Sequence, residues 1–177
     1  MPTYYCTAKD SDVVINVDRA FVLSADQTSS VPVNITVAVG DTQIGHFVTD
    51  QGDPNSDSWE GGGTMTCELN VTNVTGSLLR GRCRIRRCNA NGTIIENGVF
   101  TPFQSFFVTG VYTFTPTVPT WTTAEENCGN RLVIDFAINN NIGSGNGTIQ
   151  ITLGTTDSEV VSTISKNSGN CRRIFIS

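Results

Sequence analysis

The feature that most constrains this chain is a two-residue hydrophobic alternation that recurs along its length, with no stretch of three- and four-residue spacing long enough for a convincing helix. The pattern is fullest between Arg131 and Leu153. There Leu132, Ile134, Phe136 and Ile138 alternate with Arg131, Val133, Asp135 and Ala137, and further on Ile149, Ile151 and Leu153 alternate with Thr148, Gln150 and Thr152. Successive strand side chains point to opposite faces, so each run is expected to bury one set and to turn the other towards solvent. The Asn- and Gly-rich connector from Asn139 to Gly147 tolerates the positive φ of a reversal, and the two runs read as a β-hairpin.

The same period recurs upstream. Val13, Ile15, Val17, Phe21 and Leu23 share a parity, as do Val31, Val33, Ile35, Val37 and Val39, with Pro32 near a strand start where its missing N–H is tolerated. Thr3 to Thr7 is a short candidate strand that would suit an arm reaching a neighbour. Gln43–Val48, Thr93–Glu96, Phe103–Thr109, Val111–Pro116, Glu159–Ile164 and Arg172–Ile176 add further short strands, and Phe103, Phe106, Phe107, Tyr112 and Phe114 are expected to supply core bulk.

Met65, Cys67, Leu69 and Val71, and after a turn Leu79, Cys83 and Ile85, form a second expected hairpin. With Val71 opposite Leu79, Glu68 meets Arg82 on one face and Cys67 meets Cys83 on the other, within disulfide reach; burial of the two as free thiols is the alternative. About ten short strands with turn signals between them predict an all-β fold, an antiparallel β-sandwich of jelly-roll or immunoglobulin-like type. At 177 residues one domain is expected. Within it, 1–58 would be N-terminal strands and a loop packed on or extending from the core, 59–164 the sandwich core, and 165–177 a C-terminal strand or tail. The aperiodic, turn-rich segment Thr49–Gly63 marks the internal boundary.

Composition excludes more than it assigns. With a net charge of -5 the chain is not expected to bind nucleic acid or an anionic membrane surface. Its first residues lack the basic start and apolar run of a signal peptide, which points to folding in a cytosol. Six cysteines (Cys6, Cys67, Cys83, Cys88, Cys128 and Cys171) then suit buried thiols, or disulfides closed later in a particle released to an oxidising exterior. No C-x-x-C occurs and His46 is the single histidine, too few ligands for the usual zinc patterns, so no cofactor is expected. The N-x-S/T triplets at Asn34, Asn70, Asn73, Asn91 and Asn146 read as strand and turn chemistry.

No constellation argues for catalysis. His46 has no marked partner to orient it and reads as a solvent-facing or satisfied strand histidine. Asp53, Asn55 and Asp57 imitate the opening of a calcium loop, but Ser58 stands where Gly is needed and Thr64 where the closing Glu belongs. Gly61–Gly63 and Gly143–Gly147 lack the Lys of a phosphate loop. The carboxylate pairs Glu125 with Glu126 and Asp157 with Glu159 are of a kind that any β surface carries. A protein without enzymatic activity is the expectation. The arginines carry more weight, since five of the eleven basic residues fall between Arg80 and Arg87. Arg80, Arg82, Arg84 and Arg86 share one strand face and would form a positive strip about 20 Å long. That strip is either a solvated outer face or a docking surface for an acidic neighbour. Aromatic residues are not interleaved on that strand face, which argues against stacked bases.

Trp59 before a strand, the strand Thr109–Phe114, the strand start Asn130–Val133 and the run Gly154–Val161 together resemble the small β-sandwich structural proteins of tailed bacteriophage virions. The resemblance spans Trp59 to Val161; relatives often carry Asp where this chain has Asn130. It implies a non-enzymatic place in the virion after assembly in the host cytoplasm, as a capsid decoration or cement subunit or as a tail or baseplate part. The implied partners are the major capsid protein or tail components and further copies of the chain, a homo-oligomer that would be a trimer where it decorates a shell. The alternative is a carbohydrate- or receptor-binding module on a tail fibre or baseplate, with Trp59 or Trp121 as ligand-facing aromatics.

Overall fold

The computed structural model describes residues 3–16, 18–24, 26–50, 63–75, 78–118, 130–141 and 145–154, and the backbone of 159–162. Among them are twelve strands and no helix. In chain order these are β1 (Thr3–Ile15), β2 (Asp18–Ser24), β3 (Val31–Val37), β4 (Gly40–Val48), β5 (Met65–Thr75), β6 (Leu79–Cys88), β7 (Ile94–Glu96), β8 (Gln104–Ser105), β9 (Gly110–Phe114), β10 (Arg131–Asn140), β11 (Gly147–Leu153) and β12 (Glu159–Ser162).

Strand pairing nests. β3 pairs antiparallel with β11, β5 with β9 and β6 with β7. β4 runs beside β10, where Thr49 N donates to Leu132 O at 3.1 Å, Gln43 Nε2 donates to Phe136 O at 2.9 Å, and Val39 bridges Asn140. Since β11 also pairs β5 and β10 also pairs β6, two facing layers form, β3-β11-β5-β9 and β10-β6-β7, with β4 alongside β10 while its own ladder runs through β2 into the first sheet. With β4 beside β10, this nesting follows the order of a jelly-roll. β12, β1 and β2 extend the first layer from β5 round to β4, with β2 parallel to β4.

Both expected hairpins are therefore corrected. β10 and β11 lie in different layers, and so do β5 and β6. Glu68 faces Thr113 rather than Arg82, and Cys83 pairs with Phe136. Alternation tells a strand which residues face the core but not which strand lies beside it. A connector of three extended residues already spans the roughly 10 Å between layers. The segment before residue 58 supplies β3 and β4, the two end strands of the eight-stranded sheet. The N-terminal segment is not a free arm: β1 is held between β12 and β2.

The main core lies between the layers and holds, among others, Leu69, Ile85, Phe106, Phe114, Ile134 and Phe136. A second, smaller core of Ile15, Ala20, Val48, Cys88 and Val133 sits where the β1–β2 layer covers the outer face of β10 and β6. β10 is consequently buried on both faces: Val133 and Asp135 are 0% exposed, Arg131 3% and Ala137 5%. The set that the sequence turns towards solvent has been enclosed. Phe107, expected in the core, is instead 73% exposed.

Candidate functional site: a buried charge cluster and an arginine–phenylalanine stack

Enclosing the outer face of β10 puts Asp135 out of reach of water, and an isolated buried carboxylate is costly unless it is paired and hydrogen-bonded. Two arginines of β6 and the histidine of β4 supply the partners. Arg84 Nε donates to Asp135 Oδ2 at 2.7 Å, and Arg86 Nη2 donates to Oδ1 at 3.0 Å, with its Nε 2.5 Å from Oδ2. His46 Nδ1 lies 2.6 Å from Oδ1. A carboxylate only accepts, so Nδ1 carries the proton in that bond and Nε2 is the free ring nitrogen. Nε2 is buried without a hydrogen-bond partner among the described residues and faces the exposed Asp18 carboxylate at 3.6 Å. Burial pushes the Asp135 carboxyl up, but the hydrogen bonds from His46 and Arg86 and the Arg86 charge outweigh it and hold it below the ordinary carboxylate value.

The histidine is thus a buried residue rather than a solvent-facing one, bonded through Nδ1 to Asp135. Chemically the cluster resembles a His–Asp dyad, but His46 is only 4% exposed and its outward nitrogen meets Asp18 rather than a nucleophile. What the arrangement does is fasten β2, β4, β6 and β10 together. A second clamp does the same nearby: Arg131 donates to both oxygens of Asp12 at 2.8 Å and to Thr49 O at 3.2 Å. The Arg131 hydrogen bonds hold the Asp12 carboxyl below its ordinary value.

The arginine strip is corrected in its surroundings. Alternation does put Arg80, Arg82, Arg84 and Arg86 on one face, but Arg86 is 1% exposed and the other three are half-buried. Residues 97–106 run along β6, with Thr101 N donating to Cys83 O at 2.8 Å, and bring Phe100 and Phe103 over the guanidiniums. Arg80 stacks on Phe103, Arg82 on both rings and Arg84 on Phe100, at 4.2 to 4.6 Å from the centroids. The order is Arg80, Phe103, Arg82, Phe100, Arg84. Arg82 also donates to Asp41 at 2.9 Å, and Arg80 to Asn139 Oδ1 at 3.0 Å. Aromatic rings are therefore interleaved with the arginines after all, supplied by a neighbouring segment rather than by β6. They cover cations instead of offering free stacking faces.

Cys67 and Cys83 come together even though the register that suggested them is wrong: they meet across the two layers, where Cys67 adds to burial in raising the Cys83 thiol. Both are free, as are Cys6 and Cys88. Burial pushes the Cys6 and Cys83 thiols far up and Cys88 up to about 11. Among the described residues no group of three or more His, Cys, Asp or Glu side chains is placed to hold a metal. Asp53, Asn55, Asp57, Trp59 and Trp121 lie outside the described residues, as do Glu125, Glu126, Asp157, Cys128 and Cys171. A further feature that sequence reading missed is an open groove of about 570 Å³ lined by Asp12, Val13, Val14, Ala90, Asn91 and Arg131. Its walls come from β1, the turn after β6 and the start of β10, segments that only the fold brings together.

These features define a class: a jelly-roll sandwich whose ionic and aromatic side chains are spent on holding its own strands together. No known protein family matches the sequence, and no curated protein matches it. A solved structure described as that of infectious bursal disease virus, Gx strain, is similar over 86% of this chain and 41% of its own, at 12% identity and a TM-score of 0.35. This chain spans about two fifths of that one, and a likeness at that score carries no argument.

Proposed function

We propose that this chain is a non-enzymatic structural subunit of a virion, most simply a capsid decoration or cement protein that stabilises a shell through contacts with its neighbours. The observation that carries the reading is the inward commitment of its chemically capable residues. The sole histidine, the buried aspartate and the arginines of β6 all serve to fasten one strand to another. Such a body resists deformation, which a shell component needs, and jelly-rolls are a recurrent architecture of capsid proteins, an analogy of fold and not of site. Arg86 has no free surface to offer a partner. The outer edges of Arg80 and Arg82 remain for an acidic neighbour, and raised salt would weaken that contact.

The groove at Asp12, Asn91 and Arg131 favours a second reading, a carbohydrate- or receptor-binding module on a tail fibre or baseplate, because jelly-rolls also serve as lectins and the groove offers fixed polar groups. Copy number in purified particles separates the two. Several hundred copies over the shell support the cement reading, a few at one vertex support the tail reading, and absence from particles sinks both.

A further inference from the structure

Four of the exposed large hydrophobic side chains lie at one end of the sandwich. Val39 follows β3, Leu78 precedes β6, and Phe107 and Val108 follow β8; they are 55%, 52%, 73% and 67% exposed. The pairing places them side by side. Val39 bridges Asn140, Asn140 pairs with Leu79, and Phe106 N donates to Leu79 O at 2.8 Å, so these residues form one row across β4, β10, β6 and the chain after β8. Leu78 and Phe107 stand one residue further out on adjacent segments. Four segments at about 4.8 Å spacing make the row roughly 14 Å wide.

Two independent observations mark this end. Leu78 is held at φ 69°, a left-handed conformation that a leucine adopts at a cost, and its side chain is left in water. Among the described residues the row itself carries no charge, and the nearest charged groups, Arg80 and Asp41, are engaged by Asn139 and by Arg82 with Asn139. The described stretches 31–40, 69–75, 78–79, 105–118, 136–141 and 145–154 contain no Asp, Glu, Lys or Arg, in a chain that carries 11 basic and 16 acidic residues.

We propose that this end is a self-association surface that seats the same end of a second copy of the chain. Two molecules of net charge -5 repel each other, and the repulsion is smallest when the uncharged rows meet and the charged faces point away. A partner recognised by charge would dock further along β6, on Arg80 and Arg82, whereas an identical apolar end needs no charge complement in the row. The footprint sets the strength. An end roughly 14 Å wide and two sheets deep offers less than the about 800 Å² per partner of a standard interface, so the contact is weak in solution and gains from many copies held in place. The proposal rests on the reading of the chain as an assembling subunit and names the surface by which it would assemble.

Sedimentation velocity on the full chain, from micromolar to millimolar and at low and high salt, tests it. The expected result is a mean mass that rises from monomer towards dimer with concentration and is held or strengthened by salt, because the contact is apolar. The double variant Phe107→Ser, Val108→Ser should stay monomeric across the range with an unchanged circular dichroism spectrum. Leu78→Gly should weaken association while raising the melting temperature, since glycine relieves the positive φ; this variant keeps the test valid if the double variant misfolds. A wild type that stays monomeric, a dimer that survives both sets of changes, or a dimer dissolved by salt would overturn the proposal. Because no particle is involved, absence of the protein from virions would sink the proposed function and leave the surface standing.

Discussion

At the scale of single residues, Asp135 is a fully buried carboxylate held by three side chains from two strands. Asp135→Asn removes the charge but keeps the shape, leaving Arg84, Arg86 and His46 around a neutral amide in a site closed to water. Breaking a buried ionic group by removing one partner costs about 3–5 kcal/mol, and urea denaturation of the variant should show a loss of that order. The pH dependence has a definite sign. The folded Asp135 carboxyl is held below its ordinary value, so its stabilisation is present above the unfolded value of about 3.9 and is lost as the pH falls through the folded one. The stability of the wild type should therefore fall steeply below about pH 4, and Asp135→Asn should flatten that limb. An equally steep acid limb in the variant would mean that other carboxyls, Asp12 among them, carry the effect.

At the scale of elements, the same residues explain what the sequence could and could not reveal. Parity in β6 and β10 located the inward sets Leu79, Cys83, Ile85 and Leu132, Ile134, Phe136, Ile138, all of them buried. It failed on the opposite sets, because a face lined by Arg, Asp and Asn reads as solvated whether water or a second layer covers it. A signal did exist: Val133 and Ala137 share a face with Asp135, and apolar residues on both faces of one strand imply cover on both. Partner choice, by contrast, left no mark in alternation, and Phe100 and Phe103 reach the arginines only because residues 97–106 follow β6. That cover depends on close approach at Gly98, where a Cβ would stand 1.8 Å from the Ile85 carbonyl oxygen. Backbone cannot yield as a flexible side chain does, so Gly98→Ala should lift the segment, unstack Phe100 from Arg82 and Arg84, and cost about 1–3 kcal/mol. An unchanged denaturation midpoint would show that the arginine stack contributes nothing to the fold.

At the scale of the whole molecule, the two cores differ enough in size to open separately. The main core fills the space between the two facing layers, whereas the second rests on Ile15, Ala20, Val48, Cys88 and Val133 with Val13 and Ile94 at its edge. Regions with few buried apolar contacts open at lower free energy than the global transition, so the part of β1–β2 that bears Ile15 and Ala20 should lift before the part whose Tyr4, Cys6 and Leu23 sit in the main core. The buried thiols report on this directly. Cys88 lies beneath the layer, whereas Cys67 and Cys83 lie between the sheets, and all three are 0% exposed. Burial raises the Cys88 thiol to about 11, so at pH 8 the folded form offers almost no thiolate and labelling must follow opening. Peptide mapping after brief alkylation under native conditions should find Cys88 modified well before Cys67 or Cys83. Asp12→Ala, which removes the carboxylate clamped by Arg131, should speed Cys88 labelling and leave the other two unchanged. Equal rates at all three positions in the wild type would mean that the layer and the sandwich open as one unit, and that the second core is as firmly held as the first.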